Sequence, residues 1–326
     1  MRRSKKSRKW LRNLFLAFAL VLVAGIIYSV YQYKSGLAMA EDSHLKDKEK
    51  AYDPFEGADV QFGQINVLLM GSDARDEDGR SDTLMIAHYD QATNDVKLIS
   101  IMRDSYVDIP GHGMNKINAA FALGGPELVR KTIKQNFDID VNYYALVDFK
   151  GFPKIVDLLA PDGIEVDIPY EMSHGIGMTL HPGKQVLHGN ELLGYVRFRH
   201  DRLSDFGRVE RQQEVLGKVK EQIGVSSLMN IPKILGVADS YIDTNVDNKT
   251  ILTIAKGIVN GKSKGMDTLR IPVAGSFEDK RENVGDVLNI DFDKNKQALE
   301  EFLSSKDHEK NTKTDDVSSQ GTKASN

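Results

Sequence analysis

The first 33 residues constrain this chain more than any other stretch. Residues 13–33 carry no charge, and their apolar heart, residues 14–31, is about the length needed to cross a bilayer core. Arg2, Arg3, Lys5, Lys6, Arg8, Lys9 and Arg12 precede the run. Basic residues on the short side of a span place that side in the cytoplasm. Trp10, Tyr28, Tyr31 and Tyr33 fall where interfacial aromatics sit. The expectation is a cytoplasmic segment over residues 1–12 and a single-pass, uncleaved signal anchor over 13–33. The rest of the chain then lies outside the cell membrane. Ala38-Met39-Ala40 resembles a signal-peptidase site. However, the apolar run is long for a signal peptide and ends well before that triplet. A basic N-terminus also suits nucleic acid, but beside a span, topology explains it more simply.

Removing those seven residues leaves 36 basic against 47 acidic residues, a net charge of −11. By bulk charge the exterior part is no nucleic-acid binder. With 40% hydrophobic and 28% charged residues, the composition is globular. The absence of cysteine excludes disulfides, thiol catalysis and cysteine-ligated metals.

Residues 34–63 are polar and charged and read as an extracytoplasmic linker. Residues 64–303 read as one domain, and residues 304–326, rich in Lys, Ser, Thr and Asp, as a disordered tail. Strands are expected over 65–70, 83–89, 96–101, 143–147, 164–168 and 268–273, with a hairpin turn at 90–95. Helices are expected from Gly125-Pro126, and over 152–159, 189–195, 231–246 and 250–259. Strands alternating with helices give an α/β class, with helices flanking a sheet.

Against the acidic background, five arginines crowd into fifteen residues: Arg197, Arg199, Arg202, Arg208 and Arg211. From about Ser204 the chain reads as a helix, with Ser204 or Asp205 as N-cap. Val215, Leu216, Val219 and Ile223 form its apolar stripe. Extended backwards, that stripe passes through Gln212, Arg211 and Arg208, while Glu210, Glu214 and Glu221 lie opposite. The core face therefore turns cationic at a helix N-terminus, where an anion is already favoured. The competing reading is a solvated basic turn paired with Asp201, Asp205 and Glu210.

The loop at residues 71–82 follows one buried strand and leads into another. If the strands are neighbours, Asp73 and Asp82 meet at one sheet edge, where two carboxylates suit Mg²⁺ or Mn²⁺. Taken alone, the loop reads more readily as an acidic turn. Arg103, after the strand ending near Ile101, reaches the same edge or pairs locally with Asp104. The loop is neither an EF-hand nor a P-loop. The eight histidines show no zinc spacing, and there is no Gly-x-Ser-x-Gly element.

In order, these elements resemble the LytR–CpsA–Psr family of Gram-positive cell-envelope proteins. The motifs carrying the resemblance are the basic segment with its span, Met-Gly-Ser-Asp-Ala-Arg at residues 70–75, Gly-Arg-Ser-Asp-Thr at 79–83 and Met-Arg-Asp at 102–104. Asn-Lys-Ile-Asn follows at 115–118, then Arg-x-Arg and Arg-x-x-Arg-Gln-Gln at 197–213. They cover roughly residues 60–225. The resemblance implies a single α/β/α domain with a central mixed sheet. It also implies transfer of an anionic glycopolymer, such as wall teichoic acid or capsular polysaccharide, from an undecaprenyl pyrophosphate carrier to a peptidoglycan acceptor, assisted by Mg²⁺ or Mn²⁺. Carried over by position, Asp73 and Asp82 hold the metal and, with Arg103, form the catalytic set. Arg75, Arg80, Arg103, Arg197, Arg199, Arg208, Arg211 and Gln212 hold the pyrophosphate. Arg202 receives no role. A carrier-binding attenuator acting indirectly on gene expression and a lipid pyrophosphatase are the alternatives. The carrier's tail needs an apolar slot; the stripe from Val215 to Ile223 either lines it or is ordinary core.

Overall fold

The structure is a computed structural model and describes residues 5–40, 52–72, 81–201, 204–261 and 265–305. It begins with α1 (Lys5–Ala38), β1 (Gln64–Ser72), β2 (Thr83–Asp90), β3 (Asp95–Ile101), β4 (Ser105–Ile109), β5 (Gly113–Lys116) and α2 (Ala119–Phe137). Next come β6 (Tyr143–Asp148), α3 (Gly151–Leu159), β7 (Ile164–Ile168), β8 (Gly183–Leu187), α4 (Gly189–Arg197) and α5 (Asp205–Gln222). The chain continues through α6 (Val225–Met229), α7 (Ile231–Tyr241), β9 (Ile242–Thr244), α8 (Asn248–Asn260), β10 (Asp267–Ile271), β11 (Phe277–Glu282), β12 (Gly285–Ile290) and α9 (Phe292–Ser304).

The central sheet is mixed, in the order β10-β3-β2-β1-β6-β9. β2 runs antiparallel to β1 and β3, while β6 runs parallel to β1 and β10 parallel to β3. Both faces are covered, so β1 reads as an almost continuous apolar run. Leu68 and Met70 join a core with Ile133 and Phe137 of α2. Ile65 and Val67 face Ile254 of α8 on the other side. A further core gathers α3, α4 and α5 around Val156, Leu192, Val215 and Val219. The fold is a mixed α/β domain, as the alternation of strands and helices implied.

Some elements depart from the sequence reading. The helix expected over 231–246 ends at Tyr241, and Ile242, Asp243 and Thr244 instead pair with β6 as an edge strand. Pairing at the sheet edge outweighs weak local helix preference there. A second sheet, β11-β12-β4-β5, was not foreseen. Its β11, Phe-Glu-Asp-Lys-Arg-Glu, is exposed beyond Phe277 and has no apolar alternation to read. Charges of that kind protect an edge strand from pairing with other chains.

Within α2 the backbone breaks at Gly124 and Gly125, so the second segment starts with Pro126, as expected at a helix opening. Gly125 has a φ of 64°, and a Cβ there would overlap the ring of Tyr52. Tyr52 and Phe55 pack against the main core, and Glu127 accepts from the Glu56 amide at 2.9 Å. The described end of the expected linker is thus seated on the domain.

Residues 5–38 form one helix. Among the described residues no helix is long and apolar enough to cross a membrane. The described apolar side chains of α1 from Phe18 to Tyr31 are exposed. The end of α1 docks on α7, where Gly36 faces Gly236. A Cβ at Gly236 would overlap the Tyr33 carbonyl oxygen, and one at Gly36 would overlap that of Lys233. Lys154 of α3 closes the contact, donating to the Met39 carbonyl and to the Tyr241 hydroxyl. Gly236→Leu is expected to cost about 1–3 kcal/mol through overpacking and to expose the amides of residues 33–38. Hydrogen exchange on the full chain checks this; unchanged protection there would refute close helix contact.

Candidate anion-binding site

The site forms where β1 ends and β2 begins. The hydroxyl of Ser81, fully buried, lies 3.0 and 2.8 Å from the carbonyl oxygens of Gly71 and Thr83, which share its one proton. This hydroxyl pins the turn that presents Asp82. Arg103 arrives from the end of β3, and Arg199 from the extended stretch after α4. Arg208 comes from the first turn of α5.

Three arginines converge on Asp82. Arg103 Nη1 donates to Oδ1 at 2.7 Å, Arg199 Nη2 to Oδ2 at 2.6 Å, and Arg208 Nη2 to the Asp82 carbonyl at 3.0 Å. Burial alone would raise the Asp82 pKa. The charge of Arg199 and the bonds from Arg103 and Arg199 outweigh it and bring the carboxyl down to about 2.

Asp205, the first residue of α5, is the second carboxylate among them. Its oxygens lie 2.6 Å from Arg103 Nε, 3.6 Å from Arg199 Nε and 3.7 Å from Arg208 Nη2. Both are buried, yet neither accepts a hydrogen bond of good geometry. The attraction is therefore charge proximity without alignment.

Arg208 is 3% exposed, and its Nε has no hydrogen-bond partner among the described residues. Burial above all lowers its pKa to about 10; Asp205 opposes that, and the like charges of Arg199 and Arg103 add to it. A buried guanidinium with an open donor, crowded by two others, is electrostatically suited to receive an anion.

A cavity of about 310 Å³ opens over this cluster, lined among others by Asp82, Arg197, Arg199, Arg208 and Gln212. The Arg197 guanidinium sits 5.1 Å above the Phe149 ring, a cation–π distance. Gln212 Nε2 donates to Thr83 Oγ1 at 3.2 Å. A second, apolar cavity of about 130 Å³ adjoins it, sharing Thr83, Phe149, Arg197 and Gln212, and is lined by Leu69, Met85, Phe152 and Leu193. Val215 and Leu216 of the expected stripe line this slot, whereas Val219 packs in the core beneath it.

The structure therefore brings together Asp82, Arg103, Arg197, Arg199, Arg208 and Gln212. Arg211 lies elsewhere. It is buried and donates to the carbonyls of Tyr195 (3.1 Å) and Phe198 and to Asp201 Oδ2 (2.7 Å). All three nitrogens brace the segment that carries Arg197 and Arg199. The inward phase expected for Arg208 and Arg211 is observed, and so is part of the competing pairing with Asp201 and Asp205. Asp73, Arg75 and Arg80 lie outside the described residues. Among those described, no group of three or more His, Asp or Glu side chains is placed to hold a metal. Asp82 lines the cavity with both carboxylate oxygens bonded to arginines. Sequence reasoning treated Asp205 as a cap or surface partner and overlooked Phe149, His174 and His200, which also line the cavity. Only the Arg/Asp alternation around Asp205 hinted at its position.

An arginine cluster over two carboxylates, at the end of a mixed sheet and beside an apolar slot, gives this α/β domain a cationic cavity. The chain belongs to the LytR_cpsA_psr family, whose model matches residues 26–302. It is 41% identical over 281 residues to the "Regulatory protein MsrR" of Staphylococcus aureus strain COL, covering 85% of each chain. It is 33% identical to the "Polyisoprenyl-teichoic acid--peptidoglycan teichoic acid transferase TagU" of Bacillus subtilis strain 168, covering 75% of this chain and 80% of that protein. The solved structure "TagT bound to LIIa-WTA" aligns over 80% of this chain and 95% of its own, with a TM-score of 0.61 at 27% identity; TagT is also a B. subtilis protein.

The depressed Asp82 pKa has a consequence for acid stability. Its contribution is full above the unfolded value of about 3.9 and is lost as pH falls through the folded value. Asp82→Asn is expected to lower stability at pH 7 by about 2 kcal/mol and to flatten the loss of stability between about pH 4 and 2. Urea melts across that range check both; parallel curves for the two proteins would contradict the assignment.

Proposed function

We propose that this chain is a membrane-anchored phosphotransferase. In this reading it moves an anionic glycopolymer from an undecaprenyl pyrophosphate carrier to peptidoglycan. The observation that carries the reading is the junction of the two cavities. A polar chamber lined by Arg197, Arg199 and Arg208 shares a wall with an apolar slot, which matches a pyrophosphate joined to a hydrocarbon tail. The names of TagU and TagT's bound ligand support the same substrate class. The uncharged run at residues 13–33 and the exposed apolar face of α1 support the anchor, with the N-terminus cytoplasmic and the domain outside.

Breaking a phosphoanhydride concentrates negative charge on the leaving phosphate. Preorganised guanidinium groups in a partly dry site stabilise that charge. Arg199 and Arg208 would grip the non-bridging oxygens, and Arg103, now tied to Asp82 and Asp205, would turn a donor towards them. Gln212 would contribute a neutral donor. Asp82, with Asp73, would hold Mg²⁺ or Mn²⁺, each habitually bound by one or two carboxylates plus substrate phosphates. When bound, the ion neutralises charge on the pyrophosphate. The aligned, buried bonds of Arg211 suit it to bracing Arg197 and Arg199.

Full-length protein incubated with labelled lipid-linked polymer, a glycan acceptor and Mg²⁺ tests the reading. Transfer to the glycan is expected. Tight carrier binding without turnover would favour a regulatory binding protein, the reading supported by the relative called a regulatory protein. Phosphate release without acceptor would favour a pyrophosphatase. In the same assay Arg103→Lys and Arg199→Lys are each expected to lower turnover by about tenfold or more, because lysine cannot present a bidentate fork. Leu216→Trp should fill the slot and weaken carrier binding while leaving inorganic pyrophosphate binding intact. Equal loss of both ligands would argue against a tail in that slot.

A further inference from the structure

The reaction proposed above needs an acceptor for the proton of the attacking hydroxyl. Both described carboxylates in the site are ill-suited to it. Asp82 is bonded by two arginines, and Asp205 is enclosed by three. A carboxylate held anionic in this way is a weak base. Two imidazoles line the same cavity, those of His174 and His200. Their ring centroids are 3.8 Å apart at an interplanar angle of 67°, an edge-to-face contact that orients each ring. Both side chains are exposed at the cavity mouth, where a hydroxyl on a large polymer must arrive.

The pair is held from two sides. His200 follows Arg199, on the segment that Arg211 braces. His174 sits on the turn between β7 and β8, closed by reciprocal backbone bonds between Met172 and Leu180 at 2.9 and 2.8 Å. The Tyr170 hydroxyl donates to Asp201 at 2.7 Å, tying that turn to the His200 segment. The charged groups facing the imidazoles are Arg197, Arg199, Arg208 and Asp82 around the cavity. Asp201 behind them is already engaged by Tyr170 and Arg211.

We propose that His200, oriented by His174, is the general base that takes the proton of the acceptor hydroxyl. The inference rests on the phosphotransferase reading and names a group that reading left open. The hydroxyl oxygen forms a bond to the phosphorus carrying the glycopolymer. The bond from that phosphorus to the bridging oxygen breaks, and its electron pair leaves with the polyprenyl phosphate. The hydroxyl proton passes to an imidazole nitrogen of His200 and is returned to water before the next turnover. An imidazole suits this role because its unprotonated ring nitrogen offers a lone pair to the hydroxyl proton.

The test compares wild type, His200→Gln, His200→Ala and His174→Gln in full-length form, with lipid-linked polymer and glycan acceptor across about pH 5–9. Inorganic pyrophosphate binding is measured in parallel. Wild-type kcat is expected to fall on the acidic side. His200→Gln is expected to lose about 100-fold or more in kcat and to lose that acidic limb, with pyrophosphate affinity unchanged. Added imidazole should partly restore His200→Ala, which a purely structural role would not allow. His174→Gln should displace the acidic limb with a smaller loss. An active wild type whose His200 variants keep its rate or its acidic limb, or lose pyrophosphate binding in step with turnover, overturns the base alone. A wild type that binds pyrophosphate yet never transfers polymer overturns the base together with the phosphotransferase reading.

Discussion

Mutual neutralisation around Asp82 is the interaction on which the rest of the site depends. Arg103, Arg199 and Arg208 come from separate parts of the chain, and without a shared anion their charges would repel. Asp82 and Asp205 supply that anion. Losing the Asp82 charge from this half-buried cluster costs about 2 kcal/mol, so the carboxylate is structural before it is chemical. The pairing is also uneven. Asp82 is well bonded, whereas Asp205 sits among the guanidiniums without a hydrogen bond of its own. An incoming phosphate oxygen can therefore replace charge proximity with aligned bonds.

The sheet edge makes this assembly possible. β1 and β2 are antiparallel neighbours, and Ser81 fixes the turn that leads into β2. β3 ends beside them and delivers Arg103, while α5 starts its cationic turn above. The same elements wall the apolar slot, whose Met85 and Leu69 belong to β2 and β1 and whose Val215 and Leu216 belong to α5. Polar and apolar chambers are adjacent because α5 changes character along its length, from Arg208 to Val215.

Much of this was legible in the sequence because it rests on periodicity. The phase of Val215 and Val219 placed Arg208 and Arg211 inward, and both are buried. Strand runs such as Ile65 to Met70 are unmistakable when both faces are covered. Periodicity could not distinguish an arginine that faces a cavity from one that faces its own backbone. Arg208 and Arg211 share a helix face, yet the carbonyls of Tyr195 and Phe198 capture only Arg211. Nor could it find the second sheet, whose short strands owe their pairing to distant partners. His174 and His200 are 26 residues apart in the sequence, and their contact depends on the turn between β7 and β8.

The glycine contact between α1 and α7 bears on how the domain meets its surroundings. A domain on a slack tether samples many orientations, and its cavity meets substrate by chance. Here backbone touches backbone at Gly36 and Gly236, and Lys154 latches the end of the helix. The end of the helix is therefore seated on α7 and α3. Whatever pulls on α1 therefore pulls first on α7 and α3, through packed backbone.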